Sequence, residues 1–340
     1  MNSGPNAEPR PPARCLVTGG AGFIGSHLVE RLLAQGCDVT VVDDLSTGRR
    51  ENLAASPRAR LIVSELSRAL PALTDEPAFD EIYHLAAAVG VRRIIERPIE
   101  SIETNVHETA ALLRFASAGR ARRGGDGPAV LVASSSEVYG KSARSPFCED
   151  DDCVIGPTVA LRWSYACSKA IDEHLALAHH QQTGLRVTVA RFFNTVGPRQ
   201  VGDYGMVLPS FVSRVLAGRP PEVYGDGGQS RCFCDVRDVA PALPRMVRTP
   251  RCWGRVFNVG SDEPISILEL ARLVCRTLGK PMEPAIISYD RAYAPGFEDL
   301  RQRRPDLGRI REAIGFEPRI RLEETIRDIA RGMGWRQADE

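Results

Sequence analysis

The sequence predicts an α/β fold, a doubly wound parallel sheet completed by a smaller C-terminal α/β lobe. Short runs that are almost wholly apolar and β-branched recur through the first part of the chain, and each reads as a strand buried on both faces. Longer segments with apolar residues at helical spacing lie between them. Strand–helix alternation of this kind builds a parallel sheet with helices on both sides.

The first run, CLVTG (15–19), passes through TGGAGFIGSHL into a helix over GSHLVERLLAQG, closed by Gly36. VTVVDD (39–44), RLIVS (60–64) and EIYHLAA (81–87) follow as strands. ESIETNVHETAALLRFASAG predicts a helix that ends on Gly119, and GRARRGGDGPA (119–129) a solvated loop. AVLVASS (129–135), a helix over SYACSKAIDEHLALAHHQQ and a strand over LRVTVARFF (185–193) complete the pattern. Beyond about residue 195 the regularity breaks into Gly-, Pro- and Arg-rich loops such as GPRQVGDYG and YAPGFEDLRQRRPD. The short helices ISILELARLVCRTLG and LEETIRDIARGM accompany them. The expected division is a disordered tail (1–13), a nucleotide-binding domain (14–193, joined by about 234–258), and a second lobe (194–233 and 259–335).

Bulk composition narrows the function class. With 43 % apolar and 26 % charged residues and a net charge of +1, the chain advertises neither nucleic acid nor anionic membrane as a partner. No run approaches the ~20 apolar residues of a membrane span, and MNSGPNAEPRPPAR lacks the apolar core of a secretory signal. Nine scattered cysteines form no CxxC pair, and Cys232-Phe-Cys234 alone is a poor zinc signature, so no metal is expected. Reduced thiols without a leader point to the cytoplasm.

Gly20-Ala21-Gly22-Phe23-Ile24-Gly25 fits GxGxxG between a strand and a helix. Glycines there let the backbone turn and approach a pyrophosphate, which the helix N-terminus attracts. Asp43, about 20 residues on at the end of the second strand, can bind a ribose 2′-hydroxyl and would repel a 2′-phosphate, which selects NAD over NADP. Asp44 reads equally well as a solvated turn residue.

Lysine occurs at only three positions, 141, 169 and 280, against 41 arginines. One of them stands four residues after Tyr165, in YACSK, so phenol and ammonium share a helix face. A phenol is a poor base near neutrality, its pKa being about 10. A nearby ammonium and the positive nicotinamide of NAD would favour the phenolate and poise Tyr165 for proton transfer. A third hydroxyl should come from a neighbouring strand end, where Ser134, Ser135 and Ser136 are all available.

With these residues in place the chain resembles a known family, the extended short-chain dehydrogenase/reductases of the nucleotide-sugar epimerase/dehydratase group. TGGAGFIGSHL, VVDDLSTG, HLAAAVGV, SSSEVYG, YACSK, RFFNTVGPRQ and VYGDGGQSRCFCDVRDV carry the resemblance, in family order from residue 14 to about 330. It implies a Rossmann-type domain, tightly bound NAD, and a triad of Ser135, Tyr165 and Lys169 with Asn105 as helper. Cofactor contacts are implied for Gly19, Gly22, Phe23, Ile24, Asp43, Ser46, Thr47, Gly48, Leu85, Ala86 and Ala87, as well as Asn105, Tyr165 and Lys169. Where relatives often place an Asp against the adenine, this chain has Glu65. On the substrate side the resemblance implies Asn194, Arg231 and Arg301 at a diphosphate, with Arg303 and Arg304 as alternatives to Arg301, and Val223 and Tyr224 by the nucleobase. A homodimer through helices near 101–118 and 164–182 is also implied.

Reactions of this group share a first step, in which the sugar C4 hydroxyl is oxidised to a ketone. A 4,6-dehydratase needs an Asp-Glu pair after the active hydroxyl, and Ser136-Glu137 stands here instead. Decarboxylation of UDP-glucuronate needs only the ketone, and the Glu of SSSEVYG matches that branch. YACSK, RFFNTVGPRQ and the ending FEDLRQRRPDLGRIREAIGFEP look most like bacterial UDP-sugar 4-epimerases. The expected function is therefore an isomerase: a 4-epimerase taking UDP-glucuronate to UDP-galacturonate, with Ser135, Ser136, Arg199 and Arg92 as candidate substrate anchors. UDP-glucuronate decarboxylase and UDP-glucose 4-epimerase are the alternatives. A non-catalytic NAD-binding scaffold is the reading outside the class, and the intact triad speaks against it.

Overall fold

The computed structural model describes residues 13–88, 96–125, 127–200, 202, 206–288 and 301–336. Six apolar runs become the strands β1 (Arg14–Thr18), β2 (Asp38–Asp43), β3 (Ala59–Val63), β4 (Glu81–His84), β5 (Ala129–Ser135) and β6 (Arg186–Phe192). A later strand, β11 (Arg255–Val259), joins them. They form one seven-stranded sheet in the order β11-β6-β5-β4-β1-β2-β3, and every pairing is parallel. The order reverses between β1 and β4, which opens a crevice at the carboxyl ends of those strands.

Alternate residues of each strand feed two separate cores. Leu28, Val29 and Leu32 of α1 (Phe23–Ala34) and Val239, Leu243 and Met246 of α6 (Val236–Arg248) pack on one face with Val17, Val39 and Leu131. The opposite core joins Leu16, Val42, Val130 and Val187 to three helices: α2 (Leu66–Thr74), α3 (Pro98–Arg122) and α4 (Ser164–Thr183). Burying each such Val or Leu contributes about 1.5–3 kcal/mol, which is why these runs are apolar on both sides. The helix expected to stop at Gly119 continues to Arg122. Arg120 and Arg122 suit its negative C-terminal end, and Arg120 Nε donates to Thr183 O at 3.1 Å.

The second half supplies short strands that pair in small sheets of their own. They are β7 (Thr195–Val196), β8 (Glu222–Tyr224), β9 (Ser230–Cys232), β10 (Cys234–Asp235), β12 (Pro264–Ser266), β13 (Ala285–Ile287) and β14 (Gln302–Arg303). A third core joins α5 (Val207–Leu216), α7 (Ile267–Thr277) and α9 (Leu322–Gly332) through Phe211, Val215, Leu270, Val274, Ile326 and Ile329. The short α8 (Gly308–Ile314) packs instead on the first core. Among the described residues no helix is long and apolar enough to cross a membrane.

Candidate active site

The turn from β1 into α1 has no room for side chains. Gly19 holds a positive φ of 68°, and a Cβ there would lie 2.7 Å from Ala86 N. At Gly25 a Cβ would lie 2.1 Å from Gly19 O. The loop is thus pressed against the Leu85-Ala86-Ala87 segment, whose first two amides bond Thr18 O (3.1 Å) and Thr18 Oγ1 (3.2 Å). Asp43, at the end of β2, accepts from Ala21 N and Leu45 N, both at 2.9 Å. A Cβ at Gly48 would meet its Oδ1 at 2.7 Å. Burial pushes the Asp43 carboxyl up, and the Leu45 and Ala21 N–H groups pull it back. This is a backbone-lined cradle at a helix N-terminus with a fixed carboxylate beside it, and a dinucleotide fits it.

Ser135 ends β5, Tyr165 lies in the first turn of α4, and Lys169 is one turn on. Ser135 Oγ accepts from Glu137 N at 3.2 Å. Burial raises the Tyr165 phenol, the Glu137 charge adds to this, the Ser135 hydroxyl lowers it, and the Asp172 charge raises it again. Beneath it, Lys169 Nζ bonds Asp172 Oδ2 at 3.0 Å.

A charged cluster borders these groups. Glu137, in the turn after β5, receives Arg303 Nη1 on Oε1 and Arg162 Nη2 on Oε2, the latter at 3.4 Å. Burial alone would raise its carboxyl, but the charges and hydrogen bonds of Arg303 and Arg162 hold it below the usual carboxylate range. Arg162 stacks on the buried Trp163 ring at 4.3 Å. Arg303 reaches the cluster because β14 pairs with β9, which sets Arg303 beside Arg231.

Residues 15–260 match the model of the NAD dependent epimerase/dehydratase family. The chain belongs to that family. Its cofactor is accordingly NAD, and it is an enzyme of the nucleotide-sugar epimerase/dehydratase group. It is 37 % identical to a UDP-N-acetyl-alpha-D-glucosaminuronate decarboxylase of Bacillus cytotoxicus, over 93 % of this chain and 96 % of that one. It is 35 % identical to UDP-glucuronic acid decarboxylase 1 of Arabidopsis thaliana, over 92 % and 68 % respectively. Among solved structures, the Thermus thermophilus UDP-glucose 4-epimerase complexed with NAD superposes with a TM-score of 0.79 at 29 % identity, covering 94 % of this chain and 99 % of that one. These two relatives, decarboxylases matched over 93 % and 92 % of this chain, overturn the expected 4-epimerase and isomerase. YACSK and RFFNTVGPRQ point to the epimerases, whereas the Glu137 of SSSEVYG matches the decarboxylase branch.

Within this epimerase/dehydratase family member the other expected site residues scatter more. Phe23 and Ile24 open α1, and Phe23 stacks edge-on with His27 at 6.2 Å. Ser46 N bonds Asp44 Oδ1 at 2.8 Å, and Thr47 is half-buried next to it. Asn105 is occupied with protein: Oδ1 accepts from Ala88 N (2.8 Å) and Nδ2 donates to Ser168 Oγ (3.2 Å), so it fastens the segment after β4 to α4. Ser136 is buried in the turn before Glu137. Asn194 Nδ2 donates to Cys232 O at 3.2 Å. Val223 is fully enclosed in the third core, and its neighbour Tyr224 is half-buried. Arg231 Nη1 bonds Ser230 O at 2.7 Å. Arg301 is 85 % exposed, 3.7 Å from Asp226. Arg199 does not reach the cluster but turns to α1, where it binds Glu30 and, at 3.2 Å, Ser26 Oγ. Glu65 pairs with Arg68 at 3.0 Å, and Arg304 Nε bonds Asp262 O at 3.0 Å. Arg92 lies outside the described residues. Sequence reasoning missed Arg162 and Asp172, and it ranked Arg303 behind Arg301.

Proposed function

We propose that the protein is a UDP-uronate decarboxylase, acting through a transient 4-ketone. The supporting observation is the Glu137–Arg303–Arg162 cluster beside Ser135, Tyr165 and Lys169. Two guanidiniums gather there, and guanidinium forks suit the C6 carboxylate of a uronate.

Tyr165 takes the C4 hydroxyl proton, with Ser135, whose hydroxyl lowers the phenol, donating to the same oxygen. The glycine cradle after β1 would hold NAD, which would supply the hydride acceptor for C4 and the donor for its later return. The C6 carboxylate is then β to a carbonyl. Its C5–C6 bond breaks, CO₂ leaves, the electron pair enters the enolate of the ketone, C5 takes up a proton from water, and Tyr165 returns its proton to the C4 oxygen as the ketone is reduced. Glu137 remains ionised between its two arginines, so it orients rather than donates. Its charge also keeps the arginines from holding the departing carboxylate too tightly.

Incubation with UDP-glucuronate and, separately, with UDP-N-acetylglucosaminuronate tests the reading by product mass. Loss of the mass of CO₂ from either is expected, and which one turns over faster assigns the C2 substituent. An isomer of unchanged mass from both would sink the proposal. We further infer a cytoplasmic homodimer: Ile99 and Ile102 of α3 and Ile171 of α4 are exposed apolar side chains on the two helices. Light scattering is expected to give twice the chain mass.

A further inference from the structure

Lys169 lies in the floor of the site, its side chain only 2 % exposed, and an ammonium so placed needs an anion within reach. On its own helix, Glu173 is taken by Arg191, with bonds of 2.9 and 2.7 Å, and Tyr165 offers a phenol. From the turn after β5, Glu137 is matched by Arg303 and Arg162. From β4, His84 is neutral, pushed down to about 3 by burial and then by the Lys169 charge. From α3, Asn105 and Thr109 are uncharged. Asp172 is left, wholly buried, with Oδ2 at 3.0 Å from Nζ.

We propose that Asp172 is a positioning residue of the reaction, the anion that keeps the Lys169 ammonium charged and fixed at the floor of the cleft. This rests on Lys169 being part of the reaction centre, and not on which sugar is used.

A buried polar run supports the carboxylate from behind. Thr18 Oγ1 is 2.8 Å from His84 Nδ1, and His84 Nε2 is 3.0 Å from Thr109 Oγ1. With the imidazole proton on Nε2, Thr18 donates to His84, His84 donates to Thr109, and the Thr109 proton is free for Asp172. That tautomer turns the Thr109 hydroxyl toward the Asp172 carboxyl, whose Oδ1 is buried with no partner in full hydrogen-bond geometry. Burial pushes the Asp172 carboxyl up, and Lys169 first, then Thr109, pull it back. A bound positive nicotinamide would make an unmatched lysine more costly still.

The scarcity of lysine makes the test direct. Protein grown on [13Cε]lysine gives three resonances, from positions 141, 169 and 280. In Asp172→Asn the Lys169 signal is expected to leave its wild-type position at neutral pH, because a buried lysine without a counter-ion gives up its charge. The alkaline limb of turnover moves down in pH with it. A Lys169 signal that stays unmoved in Asp172→Asn overturns the proposal. Should that variant fail to fold, Thr109→Val keeps both charges and removes the hydroxyl that links His84 to Asp172. A Lys169 signal displaced from its wild-type position then supports the proposal, and an undisplaced one overturns it. The resonance is read without any sugar, so a wrong substrate assignment cannot mimic either result.

Discussion

Tyr165→Phe is expected to lower turnover about 10²–10⁴-fold, the usual worth of a positioned proton-transfer group, while leaving the melting temperature unchanged. The ring keeps its place at the start of α4 and loses only the hydroxyl facing Ser135. Glu137 stays ionised and His84 is deeply buried, so neither can take over the C4 proton. The loss should appear with either uronate, because it precedes the step that distinguishes them. Single-turnover release of CO₂ measures it, and a residual rate within threefold of wild type would remove Tyr165 from the chemistry.

Arg191→Met is expected to cost about 3–5 kcal/mol of stability, because it strands a buried carboxylate. Arg191 forks onto Glu173 with bonds of 2.9 and 2.7 Å, donates to Glu149 O at 3.1 Å, and lies over the Tyr139 ring at 4.7 Å. Ser134 also donates to Glu173, so this pair ties the end of β5 to α4, directly beneath Ser135. Denaturant unfolding measures the loss. Arg191→Met combined with Glu173→Leu should recover much of it, since an apolar pair leaves no unmatched charge. A double variant no more stable than the single one would show that the stability lies in shape rather than in charge.

What was legible in the sequence was local. A glycine turn between strand and helix, and a tyrosine and lysine one helical turn apart, need only their own spacing to be read, and the parallel sheet follows from runs that are apolar on both faces. Contacts that depend on distant pairing were not legible. Glu137 and Arg303 are 166 residues apart and meet only because a two-residue strand docks on β9. Nothing in RQRRP says that Arg303 turns inward while Arg301 faces solvent. Asp172 reads as an ordinary polar helix residue until burial shows that it lies against the lysine. Val223 follows a motif associated with the nucleobase, yet its apolar side chain serves the third core.

The seventh strand has a consequence for how such proteins can be cut and joined. β11 returns to the sheet beside β6 after β7 to β10 have joined other, smaller sheets, so the chain leaves the sheet, comes back and leaves again. A truncation after β6 would bare that strand's hydrogen-bonding edge and invite aggregation. Grafting the upper segments of one relative onto the sheet of another therefore takes two separate exchanges, one on each side of β11, and a single-crossover chimera would mismatch Arg303 and the Arg231 it lies beside.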